Sequence, residues 1–95
     1  QEKASEPEKA VDFPATGPIL RKIRENAGID LDEISKELKL RVELLKNLEE
    51  ERFEALPEAI YLRVHLKNYA LLLGLNPAKV TDDYLQRYQA WKKKK

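Results

Sequence analysis

The chain has 95 residues, of which 42% are hydrophobic and 37% are charged. This length allows one small domain with a single core, and the composition is typical of a helical globular chain. The sequence contains no cysteine, which excludes a disulfide framework and a thiolate metal site, and no apolar run approaches the roughly 18 residues of a membrane-spanning helix.

The net charge of +1 hides an uneven distribution of charge along the chain. Residues 1–16 carry a net charge of −2, residues 17–58 carry −3, and residues 59–95 carry +6. The basic character therefore lies at the C-terminal end of the chain.

Residues 1–16 are polar and acidic, and Pro7 and Pro14 interrupt them. We expect this segment to be a disordered tail or a linker from a preceding domain. The chain lacks an initiator Met and stops within a run of lysines, so we expect it to be a fragment of a longer protein.

A first helix is predicted from Pro18 to about Ala27. Proline suits the first helical turn because its missing N–H would be unpaired there in any residue. Gly28 can end the helix by adopting a left-handed conformation.

Residues 31–49 predict two short helices joined by a tight turn near Lys39 and Leu40. Asp30 precedes the first of these helices as a cap, and Glu33 stands at the capping-box position three residues later. This arrangement is typical of a helix-turn-helix, although two bundle helices with no nucleic-acid role would give the same pattern.

A fourth helix is predicted from about Glu58 to Leu73, and a fifth begins at Asn76 and Pro77. The apolar positions of the fourth helix cover more than one face, so it is either central in the bundle or half exposed for a partner. No strand pattern occurs. The predicted fold is therefore all-α: a compact five-helix bundle over residues 17–91, followed by a basic end over residues 92–95.

The sequence offers little support for catalysis. His65 is the only histidine, and no catalytic-triad, zinc-protease, phosphate-loop or dinucleotide-binding spacing occurs. We therefore predict a non-enzymatic protein with no catalytic residues, no metal site and no cofactor.

DNA binding through the second helix of the motif is one open hypothesis. The side chains that would reach the major groove are those of Arg41, Val42, Glu43, Lys46 and Asn47. Residues 41–54 carry three bases and five acids, which disfavours contact with phosphates. Bases elsewhere could offset this charge in a dimer, so DNA remains an open, disfavoured partner.

Several short motifs in residues 20–77 resemble a known family. They include Leu56-Pro57, Tyr61-Leu62-Arg63, Tyr69-Ala70 and Leu73-Gly74-Leu75. Together they resemble the N-terminal cytoplasmic domain of the RodZ family of bacterial cell-shape proteins, which falls within the phage-repressor-like class of helix-turn-helix domains. The resemblance implies a repressor-like five-helix fold that binds the bacterial actin MreB rather than acting as a repressor.

The resemblance also implies which residues bind the protein partner. In the RodZ family the actin-facing surface lies on helix four and carries two aromatic residues one turn apart. On this chain those positions are His65 and Tyr69, and Tyr61 and Arg63 of the same helix complete the predicted protein-binding surface. A helical adaptor for some other protein partner is the remaining alternative.

Two further expectations come from the same resemblance. The wider repressor-like class pairs an arginine of helix one with the glutamate that ends helix three, which implies a structural ion pair between Arg24 and Glu49. Family members carry a basic juxtamembrane stretch before one spanning helix. The implied location is cytoplasmic, with membrane attachment only if a spanning helix follows Lys95.

Overall fold

The computed structural model describes residues 14–94, and residues 1–13 of the tail expected over residues 1–16 lie outside them. Five α-helices follow one another along the described chain: α1 (Gly17–Asn26), α2 (Leu31–Leu38), α3 (Val42–Glu49), α4 (Ala59–Leu73) and α5 (Pro77–Lys93). A single 3-10 turn, Phe53–Ala55, lies between α3 and α4. The predicted all-α, five-helix fold is confirmed, and no strand occurs between residues 14 and 94.

The hydrophobic core receives side chains from all five helices. Its fully buried members are Leu20, Ile34, Leu45, Leu48, Leu62, Leu66, Tyr69, Val80 and Tyr84. Each fully buried aliphatic side chain contributes about 1.5–3 kcal/mol of transfer free energy. The core therefore ties the helix-turn-helix to the α4–α5 hairpin.

Side chains and left-handed residues define the ends of the helices. Thr16 caps α1, because its hydroxyl accepts the backbone N–H of Ile19 at 3.3 Å. Asn76 caps α5 in the same way through the N–H groups of Ala78 and Lys79. Gly74, which follows α4, adopts a φ of +76°, a conformation that favours glycine.

The turn between α2 and α3 has no glycine. Lys39 takes the left-handed conformation there, with a φ of +59°. Ser35 closes the turn from both sides, because its carbonyl accepts the N–H of Leu40 at 3.1 Å and its hydroxyl donates to the Leu40 carbonyl. The turn therefore falls at the predicted position.

The chain just before α1 packs against α5. Ala15 is only 3% exposed, its N–H donates to Asp83 at 3.2 Å, and its carbonyl accepts from Arg87 at 2.7 Å. Glu51 accepts from both Arg87 and the N–H of Gly17. The predicted boundary of the tail at residue 16 is therefore wrong for Ala15 and Thr16, which belong to the folded domain.

A buried charged cluster joins α1, α3 and α4. Arg24 and Glu49 form the ion pair that was expected, and they are 7% and 3% exposed. The hydroxyl of Tyr69 donates a hydrogen bond to Glu49, and Arg24 also donates to the carbonyl of Ile29 at 2.8 Å. The hydrogen bond to Glu49 raises the pKa of Arg24, and burial raises the pKa of Tyr69.

Candidate protein-binding surface

The outward face of α4 is apolar. Four large hydrophobic side chains are exposed on the described part of the chain, and all four belong to α4: Ile60 (68%), Tyr61 (60%), Val64 (51%) and Leu71 (55%). Ile60, Val64 and Leu71 recur at helical spacing on one side, and Tyr61 lies beside them. We call these four residues the α4 stripe.

The inward face of the same helix is also apolar. Leu62, Leu66, Tyr69 and Ala70 are buried in the core. The sequence predicted that α4 is either central in the bundle or half exposed. In the structure, α4 is both. A helix that is apolar on both faces leaves one of them without a partner in the described fold.

Tyr69 does not belong to the exposed surface. Its side chain is 0% exposed, and its hydroxyl is already bonded to Glu49. The expectation that Tyr69 lies on the partner-binding surface is therefore wrong, because the folded domain buries its side chain. Tyr61, His65 and Tyr69 lie four residues apart, and because an α-helix has 3.6 residues per turn, each step of four rotates the side chain by about 40°. Two such steps turn Tyr69 inward.

His65 lies on one flank of the α4 stripe, where α4 faces the helix-turn-helix. It lines an open groove of about 690 Å³ together with Leu40 and Arg41 of the turn, Leu44 of α3, and Leu56 after the 3-10 turn. Partial burial lowers the pKa of the His65 imidazole below its usual value near 6.5. The imidazole is therefore neutral at pH 7, and it is available as a hydrogen-bonding group rather than as a cation.

Arg63 lies on the opposite flank. It lines a groove between α4 and α5 together with Asp82, Leu85 and Lys93, and it is exposed. The structure therefore separates the four residues predicted as one protein-binding surface. Tyr61 lies on the outward face, His65 on the α3 side, Arg63 on the α5 side, and Tyr69 in the core.

The residues of the DNA hypothesis lie along α3 and its N-terminal end. Arg41, Glu43 and Lys46 are exposed, whereas Val42 and Asn47 are partly buried. Lys46 shares a shallow groove with the two acids Glu43 and Glu50. The side chains are accessible, but acids flank them, and DNA binding stays a prediction.

Residues 14–94 offer neither a cluster of metal ligands nor a membrane-spanning helix. No cluster of three or more histidine or acidic side chains there could hold a metal ion. None of the helices between these residues is long and apolar enough to cross a membrane.

The comparison with known families agrees with the helix-turn-helix that α2 and α3 form. Residues 19–80 match the helix-turn-helix domain family, and this chain belongs to that family. The chain is also similar to the cytoskeleton protein RodZ of Streptococcus pneumoniae strain R6, with 37% identity over 68 residues. The chain is therefore a RodZ-like helix-turn-helix domain.

The match to this relative is partial in length. It covers 72% of this chain but only 25% of the relative, so the chain spans about a quarter of that protein. No solved structure matches the chain.

Proposed function

We propose that this chain is a non-enzymatic protein-interaction module whose partner, a bacterial actin filament, contacts the outward face of α4. One observation carries the proposal: every large hydrophobic side chain exposed between residues 14 and 94 lies on this single helix. Isolated exposed apolar residues are common on proteins, but several of them on one side of a single helix are typical of an interface.

The chemistry of the α4 stripe suits a protein partner. Tyr61 supplies a large ring with a polar tip, the kind of side chain that most often anchors a protein interface. Ile60 and Val64 can exclude water around it, and His65 adds a neutral hydrogen-bonding group on the flank. This combination of an aromatic anchor, an apolar surround and a polar edge is typical of the centre of an interface.

The name of the relative supports the kind of partner. The S. pneumoniae protein is described as a cytoskeleton protein, and a filament-binding role on this domain would explain an apolar surface that the fold itself leaves uncovered. A cytoplasmic location belongs to the same proposal, with membrane attachment only if a spanning helix follows Lys95.

Co-sedimentation with bacterial actin filaments tests this proposal. The test variant combines Ile60→Ala with Tyr61→Ala. Both side chains are exposed and alanine is the best helix former, so the fold should be retained, which circular dichroism checks. We expect the variant to lose at least tenfold in affinity, because truncating interface anchors commonly costs more than about 1.4 kcal/mol.

The matched control combines Lys22→Ala with Lys36→Ala, two exposed side chains on α1 and α2. It should co-sediment like the unmodified chain. Equal retention of the test variant and the control would refute the role of the α4 stripe, and no co-sedimentation of the unmodified chain would refute actin as the partner.

A further inference from the structure

We infer that the groove between α4 and α5 is a second docking site, which binds an acidic polypeptide segment of a partner. This site goes beyond the α4 stripe, because it lies on the flank of α4 that Arg63 occupies. Two adjoining depressions of about 490 and 290 Å³ share Arg63 and Asp82 and form one continuous groove. We call it the α4–α5 groove.

The α4–α5 groove carries an excess of positive charge. Its cations are Arg63 and Lys67 on α4 and Lys93 at the end of α5, and its one acid is Asp82. Helix α4 contains no acidic residue at all. The groove therefore presents a net charge of +2, and a partner segment with several carboxylates would complement it.

The three cations have no ion-pair partner within the described chain. Some other cations of the fold are paired, as in Lys79, which lies 3.3 Å from Asp83, and Arg87, which lies 2.8 Å from Glu51. No acidic group between residues 14 and 94 comes within 4.0 Å of the charged groups of Arg63, Lys67 or Lys93. The fold therefore does not use these charges for its own ion pairs.

The groove also has a length and a lining that suit a peptide. Helices α4 and α5 are joined by only three residues, 74–76, so they form an antiparallel hairpin with the groove along it. The rise from Asp82 to Lys93 is about 16 Å at 1.5 Å per residue, the length of about five extended residues. Leu85 and Ala90 add apolar surface to the lining.

A polypeptide fits these features better than a nucleic acid or a lipid surface does. Leu85 and Ala90 line the groove beside its cations, and apolar contact area favours a protein partner over a phosphate backbone. The cations line a groove between two helices. A bilayer surface is flat at this scale, so it would contact cations on a protruding surface of the protein more easily than cations in a groove. The charge of the groove and its apolar lining together indicate an acidic, amphipathic segment.

Fluorescence anisotropy with a labelled acidic peptide tests the inference. The probe is a peptide of about twelve residues that repeats Glu-Ala-Leu-Glu, long enough to span the groove. The test variant combines Arg63→Gln, Lys67→Gln and Lys93→Gln. At about 50 mM salt we expect the unmodified chain to bind the probe and the variant to bind about tenfold more weakly, because weak screening preserves the attraction.

The matched control combines Lys22→Gln, Lys36→Gln and Lys39→Gln, which removes the same charge from exposed sites outside the groove. The control should bind the peptide within twofold of the unmodified chain. An equal loss in both variants, or no binding by the unmodified chain, would overturn the inference.

Two other anionic probes distinguish the class of partner. A 20-base-pair DNA duplex and phosphatidylglycerol vesicles are titrated against the same two variants. If the groove variant loses binding to either of them and not to the peptide, the acidic-polypeptide assignment is overturned. The Ile60→Ala, Tyr61→Ala variant should keep its peptide binding, so this test can fail or succeed independently of the actin assay.

Discussion

Arg24 and Glu49 are held together at two points, with 2.7 Å between Nε and Oε2 and 3.1 Å between Nη2 and Oε1. Removing Arg24 would leave the carboxylate of Glu49 buried with Tyr69 as its remaining donor in the described fold. We predict that Arg24→Ala lowers the free energy of unfolding by about 3–5 kcal/mol, the usual cost of stranding one partner of a buried ion pair. Urea denaturation at pH 7 measures this loss.

The exposed pair of Arg21 and Glu25 supplies the control for that experiment. These side chains lie 3.0 Å apart but are 54% and 50% exposed, and exposed pairs contribute only about 0–1 kcal/mol. Arg21→Ala should therefore change the free energy of unfolding by less than about 1 kcal/mol. Similar losses in the two variants would contradict the structural role of Arg24.

Tyr69 and Tyr84 make the stability of the domain sensitive to alkaline pH. Burial raises the pKa of both side chains above the usual value of about 10. Above pH 10 the unfolded chain releases these protons more readily than the folded chain does, so folded stability falls as the pH rises. We expect the contribution of these two tyrosines to the free energy of unfolding to be fully present below about pH 10 and to decrease above it.

Urea denaturation between pH 8 and pH 11 checks this dependence. Replacing both residues by phenylalanine removes the two titrating groups, so the double variant should be less stable at pH 8 but should show a shallower decline above pH 10. If the free energy of unfolding of that variant declined as steeply as that of the unmodified chain, groups other than Tyr69 and Tyr84 would cause the loss of stability at alkaline pH.

Two threonines in different surroundings should respond in opposite directions to the same substitution. Thr81 is 4% exposed, and its hydroxyl has no hydrogen-bond partner between residues 14 and 94. Valine has nearly the same shape without the hydroxyl, so we predict that Thr81→Val raises the free energy of unfolding by about 1 kcal/mol. Thermal denaturation followed by circular dichroism measures the change.

Thr16→Val is the matched comparison. The hydroxyl of Thr16 caps α1, and loss of such a cap costs about 1 kcal/mol. The melting temperature should therefore fall for Thr16→Val and rise for Thr81→Val. A fall in both would show that the Thr81 hydroxyl contributes a hydrogen bond in solution.

Gly17 stands where α1 begins against the end of α3. A Cβ atom added at Gly17 would lie less than 3.0 Å from the backbone carbonyl of Glu49, and backbone atoms cannot move aside cheaply. We predict that Gly17→Ala destabilises the domain by about 1–3 kcal/mol, as overpacking usually does. The same urea titration measures the loss, and an unchanged midpoint would mean that α1 can shift away from α3.

The DNA hypothesis can be tested through salt dependence. Filter binding of a DNA duplex is measured first at about 50 mM and then at about 200 mM salt, because phosphate contacts weaken steeply over this range. Glu43 and Glu50 flank Lys46, so we expect no retention at either salt concentration. Retention at about 50 mM salt that weakens at about 200 mM salt, and that is lost on Lys46→Ala, would support DNA binding through α3.

Much of the fold could be predicted because its signals are local. The Asn76-Pro77 start of α5 and the glycine that follows α4 depend on neighbours one turn away, and both were identified correctly. The starts of the helices were correct to about one residue for the same reason, whereas α5 runs to Lys93, past the predicted end of the bundle at residue 91. The Arg24–Glu49 pair is 25 residues apart, and only the family resemblance brought it to attention.

The surface was harder to predict because it depends on long-range packing. Spacing alone groups Tyr61, His65 and Tyr69, but the small rotation at each step of four places them on the surface, at an edge and in the core. The contacts of Ala15 with Asp83 and Arg87 link residues about 70 positions apart, and no local pattern announces them. The separation of Arg63 from His65 likewise depends on where α5 packs.

The anchoring of Ala15 beside Asp83 and Arg87 has a practical consequence for experiments. These two residues lie on the flank of α5 opposite to Asp82 and Gln89, which face the α4–α5 groove. A fluorophore or affinity tag attached on the N-terminal side of Pro14 would therefore be linked to the domain beside Asp83 and Arg87 of α5. Immobilisation through this end would leave the α4 stripe and the neighbouring groove accessible to partners in a surface-based binding assay.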